Sequence, residues 1–341
     1  MTPDGYAMHR NNGDRFFEAY PKVFNSGSEE DGVESTSSAG EKWYIRSDVD
    51  ASFRTLRSAE TLVSRIIERG GGQGSSSNMA NFRVHMDDQL YSTIQPNVHV
   101  CPRMGELEAE YWEKSPSVKK LSDKWDKEVR PELEAGLQAD VIQGRPLGLG
   151  KDYGLFSVGD CVFSHRCSTV GRTTPAETPF SDTLLEKAFS YLPVYFGLNA
   201  RHAKQRVGPL MTQVLGDLET KKEKNFLLYS GHDTGPLAPL LGAFEAEVET
   251  EWVWPPFASY INFEFTSDGL ARVIYAGQVL KTKYCNDFAG NICKAETLLG
   301  RLRDLSPDYE KDCTLVGRIA GEGTKTSARN VELEDEMRIY Q

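Results

Sequence analysis

The chain has 341 residues, with 39 Lys and Arg set against 50 Asp and Glu for a net charge of −11, and 39% of its residues are hydrophobic. That is enough apolar material for the core of one large or two modest domains. The acidic balance excludes an extended nucleic-acid surface, which needs a cationic surplus, but leaves room for a pocket that takes a single anion. No apolar run is long enough to cross a bilayer, and the opening Met1-Thr2-Pro3-Asp4-Gly5 lacks a basic region followed by an apolar one. The residues as given are expected to be soluble and to carry no address.

In chain order, Asn25 to Gly40 is polar and acidic with one aliphatic residue beyond Ala, and reads as a surface loop. Trp43-Tyr44-Ile45 is a short aromatic and β-branched run ending at Arg46-Ser47. Leu56, Ala59, Leu62, Val63, Ile66 and Ile67 then recur at helical spacing up to Gly70, so a strand feeds an amphipathic helix. Gly70 to Ser77 is a flexible joint by composition. From about Glu106 to Gly216 the pattern turns to helices with long polar connections.

Asn225 to Tyr229 has buried-strand length and leads through Ser230-Gly231-His232-Asp233-Thr234 into Leu237, Leu240, Leu241 and Phe244 at one-face spacing. Thr234 suits a helix N-cap and Pro236 the first turn, whereas Pro239 distorts the second. Tyr260 to Phe265 alternates with period two and is separated by Ser267-Asp268-Gly269 from Ala271 to Ala276, which predicts a hairpin. The tail after Cys313 is polar and unpatterned. Strands at both ends and helices between them predict an α/β sheet domain, residues 1–100 and 206–313, interrupted by a mainly helical insertion, residues 101–205, with a polar tail over 314–341.

Ligands of open α/β sheets collect at the carboxyl ends of strands. Arg46 stands at one such end and His232-Asp233 at another. Together a guanidinium, an imidazole and a carboxyl group can bind a phosphate and hand a proton to its leaving oxygen. A plainer reading pairs Arg46 with Asp48 or Asp50 and leaves Asp233 as a helix cap. Other signatures fail: there is no G-x-S-x-G and no H-E-x-x-H, and Gly144 to Asp152 lacks the glycine spacing and the Ser/Thr of a phosphate loop. His165 reads as a loop residue, and the cluster of Trp252, Trp254, Pro255, Pro256 and Phe257 as a packed approach to a strand. Six cysteines, Cys101, Cys161, Cys167, Cys285, Cys293 and Cys313, form an even set without C-x2-C spacing. Spacing alone leaves three disulfides and six thiols equally open. No Asn-x-Ser/Thr sequon occurs.

Several segments resemble the histidine acid phosphatases: Tyr229-Ser-Gly-His-Asp-Thr234; Trp254-Pro-Pro-Phe-Ala-Ser259 before Phe263-Glu264-Phe265; Tyr44-Ile-Arg-Ser47 with Asp48, Asp50 and Arg54-Thr-Leu56; Cys101-Pro-Arg103 with Glu106-Leu107; and the opening Thr2-Pro3-x-Gly5-x-x-x-His9. They run in the family's order. The resemblance implies a phosphoglycerate-mutase-like sheet domain with a helical cap, acting as a phosphomonoester hydrolase through a phosphohistidine, with no cofactor and no metal. Arg46 matches a phosphate-binding arginine, with Arg54 as the other candidate. His232 matches the second phosphate-binding histidine and Asp233 the proton donor.

The family's nucleophile lies in an R-H-G-x-R-x-P motif, and that motif occurs nowhere in these residues. The resemblance therefore implies a member whose first strand and nucleophile are missing. The alternatives are an inactive relative that binds phosphate esters and a non-functional fragment. The resemblance further implies bridges Cys101–Cys313 and Cys285–Cys293, leaves Cys161 and Cys167 for each other, and points to the secretory pathway, lysosome or cell exterior. The expected partner is a small phosphomonoester, with no nucleic acid and no membrane segment, and a homodimer is admitted.

Overall fold

A computed structural model describes residues 2–24, 42–49, 53–70, 83–129, 131–132, 183, 192–247 and 254–315. His165, Gly144 to Asp152, Trp252, Asp50, Cys161 and Cys167 lie outside the described residues.

Helix α1 spans Pro3–Ala19, opened by Thr2, whose hydroxyl accepts from Gly5 N at 3.1 Å, with Pro3 in the first turn. A short turn, α2, follows at Pro21–Phe24. Strand β1, Trp43–Ser47, leads to α3, Arg54–Gly70, as the sequence pattern predicts. The apolar stripe of α3, Ala59, Leu62, Val63, Ile66 and Ile67, is buried against Trp43 and Ile45 of β1 and Phe16 and Phe24. Gly13 lets α1 lie close on α3, because a Cβ there would stand 2.7 Å from Arg65 Cβ and 2.9 Å from the Leu62 carbonyl oxygen.

Strand β2, Val84–Met86, is three residues long and escapes a sequence pattern that needs more repeats to register. Helices α4, Pro102–Lys114, and α5, Pro116–Lys124, follow, the latter running on as a π-helical turn, Trp125–Val129. Helices α6, Leu192–Arg201, α7, Ala203–Arg206, and α8, Gly208–Thr220, lead to β3, Phe226–Ser230. The run after β3 is not one helix: a π-helical turn, Asp233–Leu237, holds Pro236, and α9, Ala238–Ala243, starts anew with Pro239 in its first turn. A second proline with no amide proton is tolerated there because first-turn amides lack intrahelical acceptors.

The predicted hairpin forms from β4, Ile261–Phe265, and β5, Leu270–Tyr275, with Ile261 opposite Tyr275 and Phe265 opposite Ala271. Strand β6, Gln278–Val279, and β7, Ile292–Lys294, also pair with β5, and α10, Ala295–Leu305, packs behind.

The strands form two sheets. One is parallel, ordered β2-β1-β3, and the other is antiparallel, built on β5. In the parallel sheet Arg46 stands opposite both His85 and Tyr229. Strand alternation therefore sends Trp43, Ile45, Phe226 and Leu228 to the face covered by α1 and α3, and Tyr44, Arg46, His85 and Tyr229 to the other. The second core gathers Val207, Leu210, Met211 and Val214, Leu240, Leu241 and Phe244, Val273 and Tyr275, and Leu298, Leu302 and Leu305.

Cys101 and Cys313 are bonded across 212 residues and Cys285 and Cys293 across 8, the two pairs that the family resemblance implies. All four sulfur-bearing residues are buried. No helix among the described residues is long and apolar enough to cross a membrane.

Candidate active site

The carboxyl ends of β1 and β3 are laced together by short polar side chains. Asp48 N donates to the Ser230 carbonyl oxygen at 2.9 Å, and the Ser230 hydroxyl to the Thr55 carbonyl oxygen at 2.7 Å. The Thr55 hydroxyl donates to the Asp48 carbonyl oxygen at 2.9 Å, while Ser47 Oγ lies 3.1 Å from Thr55 Oγ1. The first turn of α3 is thereby fixed to the ends of both strands. Phe53, with φ of 53°, occupies the left-handed region, so the chain enters α3 through a backbone conformation that costs a non-glycine residue about 1–2 kcal/mol. This turn sets Arg54 at the start of α3.

His232 follows β3 and points back at β1. Its Nε2 lies 3.3 Å from Oδ2 of Asp48, whose side chain is fully buried. The other Asp48 oxygen accepts a short hydrogen bond from the Ser92 hydroxyl. Gly231 allows this approach, since a Cβ there would lie 2.7 Å from Ile94 Cγ2 and from Pro236 Cγ. The segment carrying Ser92 and Ile94 thus closes over the strand ends.

Asp233 comes next. Burial pushes its carboxyl above the ordinary range, and the Thr234 amide, which donates to Oδ1 at 2.8 Å, and the charges of His232 and Arg54 only partly offset this. A carboxyl group that keeps its proton into milder acidity is suited to protonating a leaving oxygen. The bond to Thr234 N is local, so a capping contribution accompanies that chemistry without excluding it.

Arg46 lies on the polar face of the sheet. Its guanidinium closes on Asp87 and donates to the Tyr44 hydroxyl at 3.3 Å, so among the described residues its carboxylate partner is not Asp48 but one just beyond β2. Around it the same face carries a second ionic knot. Asp217, buried on α8, accepts from Tyr229 Oη at 2.7 Å, Gln213 Nε2 at 2.9 Å and Lys221, whose ammonium sits 4.4 Å from the centre of the Tyr44 ring. Burial opposes ionisation of Asp217, but these three donors outweigh it and hold the carboxyl below its ordinary range. His85 stacks on Tyr44 with ring centres 4.8 Å apart, and burial together with the charges of Arg46 and Lys221 holds it below the ordinary histidine range.

Two clusters therefore adjoin: Asp48, Ser92, His232, Asp233 and Arg54 at the strand ends, and Arg46 with Asp87, Tyr44 and His85 on the sheet face. Sequence reasoning singled out Arg46, His232, Asp233 and Arg54 but missed Ser92, Asp87 and the part of Asp48 that faces His232. Those contacts span 44, 41 and 184 residues of chain respectively and carry no local signal. A separate cavity of about 370 Å³, lined by Leu107, Glu110, Tyr111, Lys114, Arg201 and His202 among others, opens between the helices and contains none of these groups. No cluster of metal-ligating side chains occurs among the described residues.

A parallel sheet with helices on both faces and a polar cluster at its carboxyl edge defines an α/β fold, and solved structures carry the same fold. The phytase of Citrobacter braakii matches with a TM-score of 0.59 at 14% identity, over 92% of this chain and 89% of that one. Hafnia alvei phytase in complex with myo-inositol hexakis sulphate matches at 0.55 and 13%, over 92% and 88%, and the phytase of D. castellii at 0.52 and 12%, over 90% and 65%. No family model and no curated protein matches the sequence.

Proposed function

We propose that the strand-end cluster is a phosphate-ester site of the histidine acid phosphatase kind, taking a small phosphomonoester, inositol phosphates included. The observation that carries this reading is His232 held 3.3 Å from buried Asp48 at one sheet edge, next to Asp233, whose carboxyl is pushed above its ordinary range by burial while the charges of His232 and Arg54 act on it. His232, steered by Asp48, and Arg54 contact the phosphoryl oxygens. Arg46 is the second cation, held on Asp87 until an anion competes for it. Asp233 donates its proton to the departing alkoxide as the P–O bond breaks. In the family chemistry a histidine nitrogen forms the new bond to phosphorus, and water then cleaves that P–N bond to release phosphate. We further propose a division into a core of 1–100 and 206–313, a helical cap insertion of 101–205 and a polar tail of 314–341. The two buried bridges favour an oxidising compartment, so the secretory pathway, lysosome or cell exterior is the proposed location.

A second reading, binding of phosphate esters without turnover, is favoured by a specific observation: these residues hold no R-H-G-x-R-x-P. The other described histidines stand elsewhere, His9 on α1, His85 on the sheet face, His99 before α4 and His202 beside Tyr111. The two readings are separated by assaying a chromogenic phosphomonoester at acid pH with the 341-residue chain and its Asp233→Ala variant. Turnover lost in the variant supports the hydrolase; phosphate binding without turnover supports the second reading; neither binding nor turnover overturns both.

A further inference from the structure

We propose that the cavity between α4 and the α6–α7 junction binds a small organic monoanion, a carboxylate with a compact apolar body. The cavity encloses about 370 Å³ and is lined by Leu107, Glu110, Tyr111 and Lys114 of α4, Pro116 of α5, and Arg201 and His202 where α6 gives way to α7. That volume is in the range that takes a small organic ligand. The four α4 residues stand at i, i+3, i+4 and i+7, so they form one face of the helix. A helix face that packs on a core is apolar at such positions. This one keeps an acid and a lysine beside a leucine and a tyrosine, and so suits a ligand with both an apolar and a charged part.

The walls are fixed before any ligand arrives. Cys101, directly before α4, is bonded to Cys313, and Gln205 of α7 donates to the neighbouring Asp312 carbonyl oxygen at 3.3 Å. Buried Arg206 of α7 donates to Glu108 of α4 at 3.0 Å and to Asn199 of α6 at 2.6 Å. The Tyr111 ring meets the His202 ring edge-on with centres 6.2 Å apart, and Gly197 leaves room for the Tyr111 hydroxyl, since a Cβ there would lie 3.2 Å from it. Binding between these helices therefore costs little ordering of the protein.

Charge selects the ligand. Lys114 lies 3.2 Å from Glu110, and the two offset each other. Arg201 is exposed and, among the described residues, has neither a hydrogen bond nor a carboxylate partner, so the lining carries one uncompensated positive charge. His202 adds none at neutral pH: burial first, then the charges of Arg201 and Arg206, hold its imidazole below the ordinary histidine range against the pull of Glu108 and Glu110. A planar carboxylate fits the guanidinium fork of Arg201, whereas Glu110 repels a dianion. Leu107, Pro116 and the Tyr111 ring then take the apolar body out of water.

The inference is independent of the phosphate-ester reading, because the cavity contains none of the strand-end groups. Its test is calorimetry and saturation-transfer NMR on the 341-residue chain near pH 8, with benzoate and hexanoate as probes beside benzyl alcohol and hexylamine. The titrations are repeated in an excess of inorganic phosphate, in Arg201→Gln and in Glu110→Gln. Both carboxylates are expected to bind at one site with Kd on the order of 1 mM or tighter, with or without phosphate. Arg201→Gln weakens them tenfold or more, Glu110→Gln tightens them severalfold, and the alcohol and amine bind at least tenfold more weakly. Four results overturn the proposal: no carboxylate binding, benzyl alcohol binding as tightly as benzoate, wild-type affinity in Arg201→Gln, or displacement by phosphate, which places the carboxylates on a site for phosphate instead.

Discussion

His232 Nε2 lies 3.3 Å from the buried Oδ2 of Asp48, a contact between residues 184 positions apart that aims the imidazole of one strand end at the other. Asp48 is itself fixed by Ser92 and by its own amide on Ser230. The imidazole in that position is oriented before any phosphate arrives, which lowers the ordering cost of binding. Asp48→Asn removes the charge and keeps the shape. Inorganic phosphate affinity, measured by calorimetry near pH 5, is expected to fall about tenfold, in keeping with the loss of one buried charge that orients the imidazole. An unchanged affinity removes Asp48 from the site.

The Asp87 carboxylate holds Arg46. If Arg46 is a cation kept in reserve, Asp87→Ala releases it and tightens phosphate binding severalfold, whereas Arg46→Ala weakens binding less than Arg54→Ala does. Tighter loss in Arg46→Ala than in Arg54→Ala would reverse the roles of the two arginines.

Asp233 has a raised folded pKa, because burial disfavours its charged form. The sign for stability follows: its contribution is fully present below the unfolded carboxyl value of about 3.9 and is lost as pH rises through the higher folded value. Asp233→Asn keeps an oxygen for the Thr234 amide and removes the ionisation. The variant is expected to match the wild type in urea unfolding at pH 3 and to exceed it at pH 7. Equal stability at both values would mean that Asp233 ionises without cost.

Asp217 gives the opposite pH dependence. Its carboxyl is held below the ordinary range, so it stabilises the fold above about pH 4 and loses that contribution as pH falls through the lowered value. Asp217→Asn should therefore be destabilised relative to wild type at pH 7 and converge with it in strong acid, as read by thermal melts.

The Cys101–Cys313 bridge closes 212 residues and Cys285–Cys293 closes 8. Chain entropy assigns them about 5 and about 2.5 kcal/mol respectively. The Cys101→Ser/Cys313→Ser double variant should accordingly lower the melting temperature more than Cys285→Ser/Cys293→Ser, and the reverse order would show that local packing of Cys285 and Cys293 in the second core dominates.

Much of the fold was legible because it rests on short-period patterns. The helical stripe from Ala59 to Ile67 and the alternation of Tyr260 to Phe265 are local, and α3 and β4 appear where those patterns put them. Strand β2 was not legible, since three residues carry no period. Thr234 failed as a helix cap because Pro236 and Pro239 split the segment into a π-helical turn and a new helix. At the site the ligating types were readable at strand ends, but the acids that govern them were not. Asp87 and Ser92 reach Arg46 and Asp48 only through the parallel pairing of β2 with β1 and the packing of Ile94 on Gly231, which are products of the whole fold.

The most direct test of the central claim is phosphate binding, followed by calorimetry and ³¹P line broadening, in the wild type and in Arg54→Ala, His232→Ala and the double variant. The account predicts a single phosphate site in the wild type, about tenfold weaker in each single variant and undetectable in the double. Wild-type affinity retained in the double variant would contradict it, because the phosphate would then be held by groups other than those at the ends of β1 and β3.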